Sequence, residues 1–332
     1  MGGRWAAVSR ASAAVGGVVW ALVAVATLAG RGVGEIGVAL TLAVLVTVPL
    51  GLGLVAPTEG LAGVGRIYRI ATMGQPIAAL FALASFALPT GTLAGLLALP
   101  WLIETAIVAL VGLGRFWGHR FARAEEVAID AGLGSLVVGG GWLCASRAGL
   151  PLGGFSEPIV SLTAAHFHYA GFGALLLAGL AGRHWPVAPA LPRRLLRLIV
   201  AGIIAAIPLV ALAISDLLPE PPGAFLLTVC LLALSGVVAT LVRRLGSPVA
   251  RGLLLVSALA PLLPMALACA YTLRDPFPMI GLTIPLMVRF HGLVNAIGFV
   301  LCGLLAWTLA GMGERTAPPP RHPEGTRQGR EG

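Results

Sequence analysis

The sequence predicts an all-α protein, a polytopic transmembrane helix bundle of about ten spans with both termini on the cytoplasmic side. Three observations predict it. Of 332 residues, 58% are hydrophobic and 11% charged, and the mean hydropathy is +0.95, a balance foreign to a water-soluble domain of this length. Apolar runs of near-spanning length follow one another with short connections. All 22 basic residues are arginine, and they alternate between rich and poor loops.

Taken in order, the spans are read as Ala11–Ala29, Val33–Val55, Ile70–Leu88, Gly91–Leu113, Val127–Ala145, Ile159–Ala181, Leu195–Leu217, Gly223–Val242, Leu253–Leu273 and Leu286–Leu309. Each is long enough to cross about 30 Å of hydrocarbon at about 1.5 Å per residue. Only Pro89 and Thr90 separate the third and fourth, which must form a tight hairpin. The first run follows a basic start, but it exceeds the length of a secretory signal core and no cleavage site follows, so it reads as a retained helix. Residues 1–313 form the transmembrane domain. From Glu314 to Gly332 the chain carries Pro318, Pro319, Pro320 and charges without periodicity, which predicts a disordered cytoplasmic tail.

Orientation follows from the arginines. One side collects 18, among them Arg66, Arg69, Arg115, Arg120, Arg123, Arg183, Arg193, Arg194 and Arg197, and the other holds only Arg31, Arg147, Arg274 and Arg289. The richer side is read as cytoplasmic. This sorting also accounts for the net charge of +9, so no nucleic-acid partner is expected. The partners expected are the lipid bilayer and a small solute or ion. Cys144, Cys230, Cys269 and Cys302 each sit alone in an apolar run and read as small buried hydrophobes. Prolines at positions 49, 76, 100, 208, 261 and 264 predict kinks, and the glycines predict close helix packing.

Polar residues inside the spans carry the functional information, because an ionisable group in mid-membrane costs at least a few kcal/mol unless it meets a partner or a cavity. The sixth span carries Thr163, His166, His168 and Tyr169; the tenth carries His291 and Asn295. Counted from the outer boundary, the imidazoles share a layer roughly 10 to 15 Å deep. Positions two apart on a helix differ by about 200°, so His166 and His168 project from nearly opposite faces and cannot chelate one metal. Either can pair with His291. Glu104 in the fourth span and Asp130 in the fifth make a second layer roughly 15 Å away, which suggests a ladder of protonatable groups. Glu125 and Glu126 read as first-turn acids facing Arg120 and Arg123. Arg289 must snorkel outward or find an acid.

The runs EEVAIDAGLG, LTAAHFHYAGFGALLLAGLAGR and RFHGLVNAIGF resemble the YndJ-like family of bacterial multi-pass membrane proteins, over about Glu125–Leu309. The resemblance implies a bacterial cytoplasmic membrane and a lean towards transport, without a mechanism. A local likeness also exists to the large subunit of haem–copper oxidases, through His166-Phe167-His168-Tyr169 and His291-Gly292-Leu293. It implies His168 and His291 as axial ligands of one haem, with His166 facing a second site. The two runs stand in the opposite chain order from the oxidases, and the copper-binding histidines are absent.

The leading expectation is therefore a transporter or permease using His166, His168, Tyr169, His291, Asn295, Glu104 and Asp130 as a polar path. The alternatives are a membrane haem or metal protein built on His168 and His291, and a structural or assembly protein. From the residues alone no cofactor is expected. No HExxH pattern, phosphate-binding loop or catalytic triad occurs, so no enzyme activity is expected either.

Overall fold

The computed structural model describes residues 2–56, 62–185, 190–214, 217–274, 277 and 281–311. The proposed tail from Glu314 lies outside them. Among the described residues, ten helices are long and apolar enough to cross a membrane: α1 (Arg4–Leu28), α2 (Gly34–Leu54), α3 (Gly63–Phe86), α4 (Thr92–His119), α5 (Ala124–Ala148), α6 (Ile159–His184), α7 (Arg193–Ala213), α8 (Glu220–Arg244), α9 (Pro248–Thr272) and α10 (Ile284–Leu309). Among the described residues the only β feature is an isolated bridge between Leu152 and Phe155.

Every predicted span matches one helix, with shifted ends. The third helix begins at Gly63 rather than Ile70, and the fourth runs on to His119, past Leu113. The tight hairpin forms as expected: α3 ends at Phe86, and the Gly91 N–H donates to the Arg147 carbonyl at 2.9 Å. Gly91 has φ 152°, a conformation that side-chain-bearing residues rarely adopt.

At the centre stands α2, of which 94% is buried, with α1, α3, α6 and α10 packed around it. Sequential helices pack as neighbours, and α10 returns against α2 to close the arrangement. Glycines set the closest approaches, as expected for helices that associate within lipid by packing. At Gly112 a Cβ would lie 2.7 Å from the Asp130 carbonyl, and at Gly140 it would lie 2.2 Å from Thr105 Oγ1, so only glycine lets α4 and α5 pack this closely. Side chains that point outward from the bundle, such as Val15, Val18, Leu22 and Val229, are apolar and exposed, as a lipid-facing surface requires.

Three of the described spans carry π-helical stretches. Residues Ala43–Thr47 of α2, Phe167–Ala174 of α6 and Val288–Leu301 of α10 are π-helical, and the three stretches touch one another. Side-chain donors explain part of this. Thr41 Oγ bonds the Gly37 and Val38 carbonyls just before the first stretch, and Thr163, His166 and His168 each bond the carbonyl four residues back around the start of the second. Carbonyls engaged in this way compete with the regular ladder and favour a slip in register.

A π register also changes which carbonyl a proline leaves unserved. Counting i→i+5, Pro49 cannot donate to Val44, and Gln75 Nε2 from α3 donates to that carbonyl at 2.9 Å. Ser12 Oγ of α1 in turn donates to Gln75 Oε1 at 2.7 Å. In α10 the Phe299 carbonyl accepts from Ser257 Oγ of α9 at 2.7 Å. The freed backbone is thus satisfied inside protein, the condition for irregular helix at membrane depth.

Candidate functional site

Where the π stretches of α6 and α10 meet, the two motif histidines that come together are His166 and His291, with ring centroids 6.2 Å apart and planes 30° from parallel. His166 Nδ1 lies 2.9 Å from the Leu162 carbonyl, and His291 Nδ1 lies 2.8 Å from the Pro264 carbonyl of α9. A carbonyl can only accept, so each Nδ1 carries the proton and each Nε2 is left with its lone pair. His166 is exposed and lines a cavity of about 90 Å³, together with Trp142, Thr163, Phe167, Ala170 and Leu227. Arg289, two residues before His291, has found the acid it needed in Glu35 of α2.

The expected pairing of His168 with His291 is not formed. His168 projects from the other face of α6, is fully buried, and accepts a hydrogen bond at Nε2 from Trp101 Nε1 of α4 at 3.2 Å. Its Nδ1 lies 2.8 Å from the Ala164 carbonyl, so both ring nitrogens are committed. Gly139 of α5 makes room for it, since a Cβ there would lie 2.8 Å from His168 Nδ1. A haem held between His168 and His291 has no counterpart in this geometry. Among the described residues no three His, Cys, Asp or Glu side chains converge as a metal-ligand group.

The other predicted site residues are dispersed around this centre. Tyr169 Oη donates to the Ala39 carbonyl at 2.6 Å and ties α6 to α2. Asn295 lies one turn beyond His291, and its Oδ1 is buried without a hydrogen-bond partner. Thr47 Oγ1, at the end of the α2 π stretch, is likewise buried and lies beside the Tyr169 hydroxyl. Glu104 stands apart, 3% exposed, with Oε1 unpartnered and Oε2 against Gly74 of α3. These groups do not form one constellation.

Asp130 belongs to a network that reading the sequence missed. Arg115 donates from Nε to Asp130 Oδ1 at 2.7 Å, from Nη2 to Glu126 Oε2 at 2.6 Å, and from Nη1 to the Val55 carbonyl at 3.4 Å. Arg183 binds both oxygens of Glu126 at 2.7 Å, and His119 Nε2 lies 2.6 Å from Asp130 Oδ2. Four helix ends, from α2, α4, α5 and α6, meet there. Ending the fourth span at Leu113 and the sixth at Ala181 leaves Arg115, His119 and Arg183 outside the spans, whereas α4 runs to His119 and α6 to His184. The signal was present: Arg115 and His119, like Glu126 and Asp130, stand four apart and so share a helix face. Glu125 pairs with exposed Arg123, as expected of a first-turn acid, whereas Glu126 turns inward.

A family model described as YndJ-like protein matches residues 38–299. The chain is 29% identical over 240 residues to a Bacillus subtilis (strain 168) protein described as "Uncharacterized membrane protein YndJ", covering 70% of this chain and 41% of that relative. The chain therefore spans well under half the length of the curated relative it matches. No solved structure matches it. The family match includes α2, and so takes in all three π-helical stretches except the end of the last.

Proposed function

The chain belongs to the YndJ-like family of membrane proteins, and on that premise we propose that it is a permease of the bacterial cytoplasmic membrane that moves a small cation, protons included. The observation that carries this reading is the meeting of three π-helical stretches, the first of them fully buried in α2. Irregular backbone at membrane depth is tolerated where it lines a cavity, and π segments recur at functional sites. A polar atom without a protein partner, Asn295 Oδ1, belongs to one of these stretches, and His166 faces the cavity. Water or a passing ion would satisfy that atom.

The path runs from the His166 cavity, past His291 and Asn295, towards the end where Asp130, Glu126, Arg115 and His119 are joined. That end carries most of the arginines and is assigned to the cytoplasm. Asn295 Oδ1, left without a partner beside His291 in the α10 π stretch, favours a path.

The test is proton flux into sealed vesicles that contain the purified protein and a trapped pH-sensitive dye, driven by a potassium diffusion potential. Protein-dependent acidification is expected, reduced severalfold by Asn295→Leu and by His166→Phe. Vesicles no leakier than protein-free ones would count for a structural role instead.

A further inference from the structure

His166 and His291 pair with ring centroids 6.2 Å apart, each anchored through one ring nitrogen. Each ring donates its Nδ1–H to a backbone carbonyl, at 2.9 Å to Leu162 and 2.8 Å to Pro264. This is the orientation found behind metal-ligating histidines, where the outer N–H is anchored and the inner nitrogen is left basic. Among the described residues no hydrogen bond reaches either Nε2. Two imidazole radii plus two metal–nitrogen bonds of about 2 Å come to about 6 Å, close to the observed centroid separation of 6.2 Å.

We infer that His166 and His291 form a two-coordinate site for a soft monovalent cation of the cuprous class. The ligand set argues for the charge. No third His, Cys, Asp or Glu joins the pair among the described residues, so a tetrahedral zinc site with protein ligands is not available. Both ligands are neutral, and Arg289, two residues before His291, is already matched by Glu35. The cost of placing an ion at membrane depth grows with the square of its charge, so a single positive charge is far cheaper here than two. Imidazole nitrogen suits copper, and on the His166 side Trp142, Phe155 and Phe167 give the adjoining cavity an apolar wall. His168 takes no part, since Trp101 occupies its Nε2. The site stands whether or not the ion is then moved across the membrane.

The experiment uses the full chain in detergent under anaerobic, reducing conditions. It is loaded with cuprous ion, desalted, and challenged with a chromogenic cuprous chelator. His166→Asn and His291→Asn are the variants of choice, because the asparagine amide can replace the Nδ1–H donor while Nε2 is removed. His184→Asn is the control, as His184 stacks on Trp307 away from the pair. Expected is one copper per chain that resists the chelator, lost in both variants and kept in the control. X-ray absorption should show two nitrogen neighbours and no sulfur, which also distinguishes the pair from the four free cysteines. Retention that is equal in His291→Asn, sulfur ligation, or no retained copper in the folded parent chain would overturn the assignment. A folded parent that holds copper at this pair but leaks no protons would keep the site while removing the permease reading.

Discussion

Replacing Arg115 by Met is expected to destabilise the bundle by about 3–5 kcal/mol, the range for removing one partner of a buried ion pair. The arginine is 5% exposed and binds two carboxylates and a backbone carbonyl. After its removal Glu126 keeps both hydrogen bonds from Arg183, so the loss falls on Asp130, whose remaining neighbour is His119. Adding Asp130→Asn to Arg115→Met should therefore recover part of the stability, whereas in the parent chain Asp130→Asn is destabilising. Such non-additivity marks two residues in direct contact. Arg123→Met provides the contrast, because its pair with Glu125 is solvent-exposed and should contribute less than about 1 kcal/mol. Unfolding in mixed detergent micelles gives all four values.

Gly16→Ala is the second large effect. A Cβ at Gly16 would lie 2.0 Å from the Leu45 carbonyl oxygen and 2.8 Å from its carbon, both backbone atoms in the π stretch of α2. No side-chain rotation can relieve that contact, so α1 must move off α2. The cost should reach the upper part of the roughly 1–3 kcal/mol typical of overpacking. The shift would also strain the Ser12 to Gln75 bond, which supports the donor to Val44. At Gly17, one position along, a Cβ meets nothing within 4 Å, so Gly17→Ala should stay within about 0.5 kcal/mol of the parent. Thermal stability of the two variants in the same detergent gives the comparison directly.

The helices were legible in the sequence because uninterrupted apolar length is a one-dimensional property. Every predicted run became a helix, and the tight turn at Pro89 and Thr90 was forced by the spacing alone. Helix ends were less legible. Arginine marks a boundary when it snorkels, but Arg115 and Arg183 are held inside by acids on other helices, and nothing local distinguishes the two cases. The candidate site was legible in its membership and not in its pairing. Helical spacing separated His166 from His168 correctly, but the choice of which one meets His291 depends on where α4 places Trp101. The π register was not legible at all. It arises from Thr and His side chains diverting carbonyls and from donors such as Gln75, whose partner lies 31 positions away in the chain.

The account depends above all on the cavity beside His166 being water-filled rather than lined by lipid. In a chain whose four cysteines are replaced by alanine, Thr163→Cys introduces a thiol into that cavity, and Val229→Cys introduces one on the opposite face of α8 from the cavity-lining Leu227. A membrane-impermeant thiol reagent applied to intact vesicles should modify Thr163→Cys and leave Val229→Cys untouched. Equal resistance at both positions would mean that water does not reach the histidine pair, and would contradict the account.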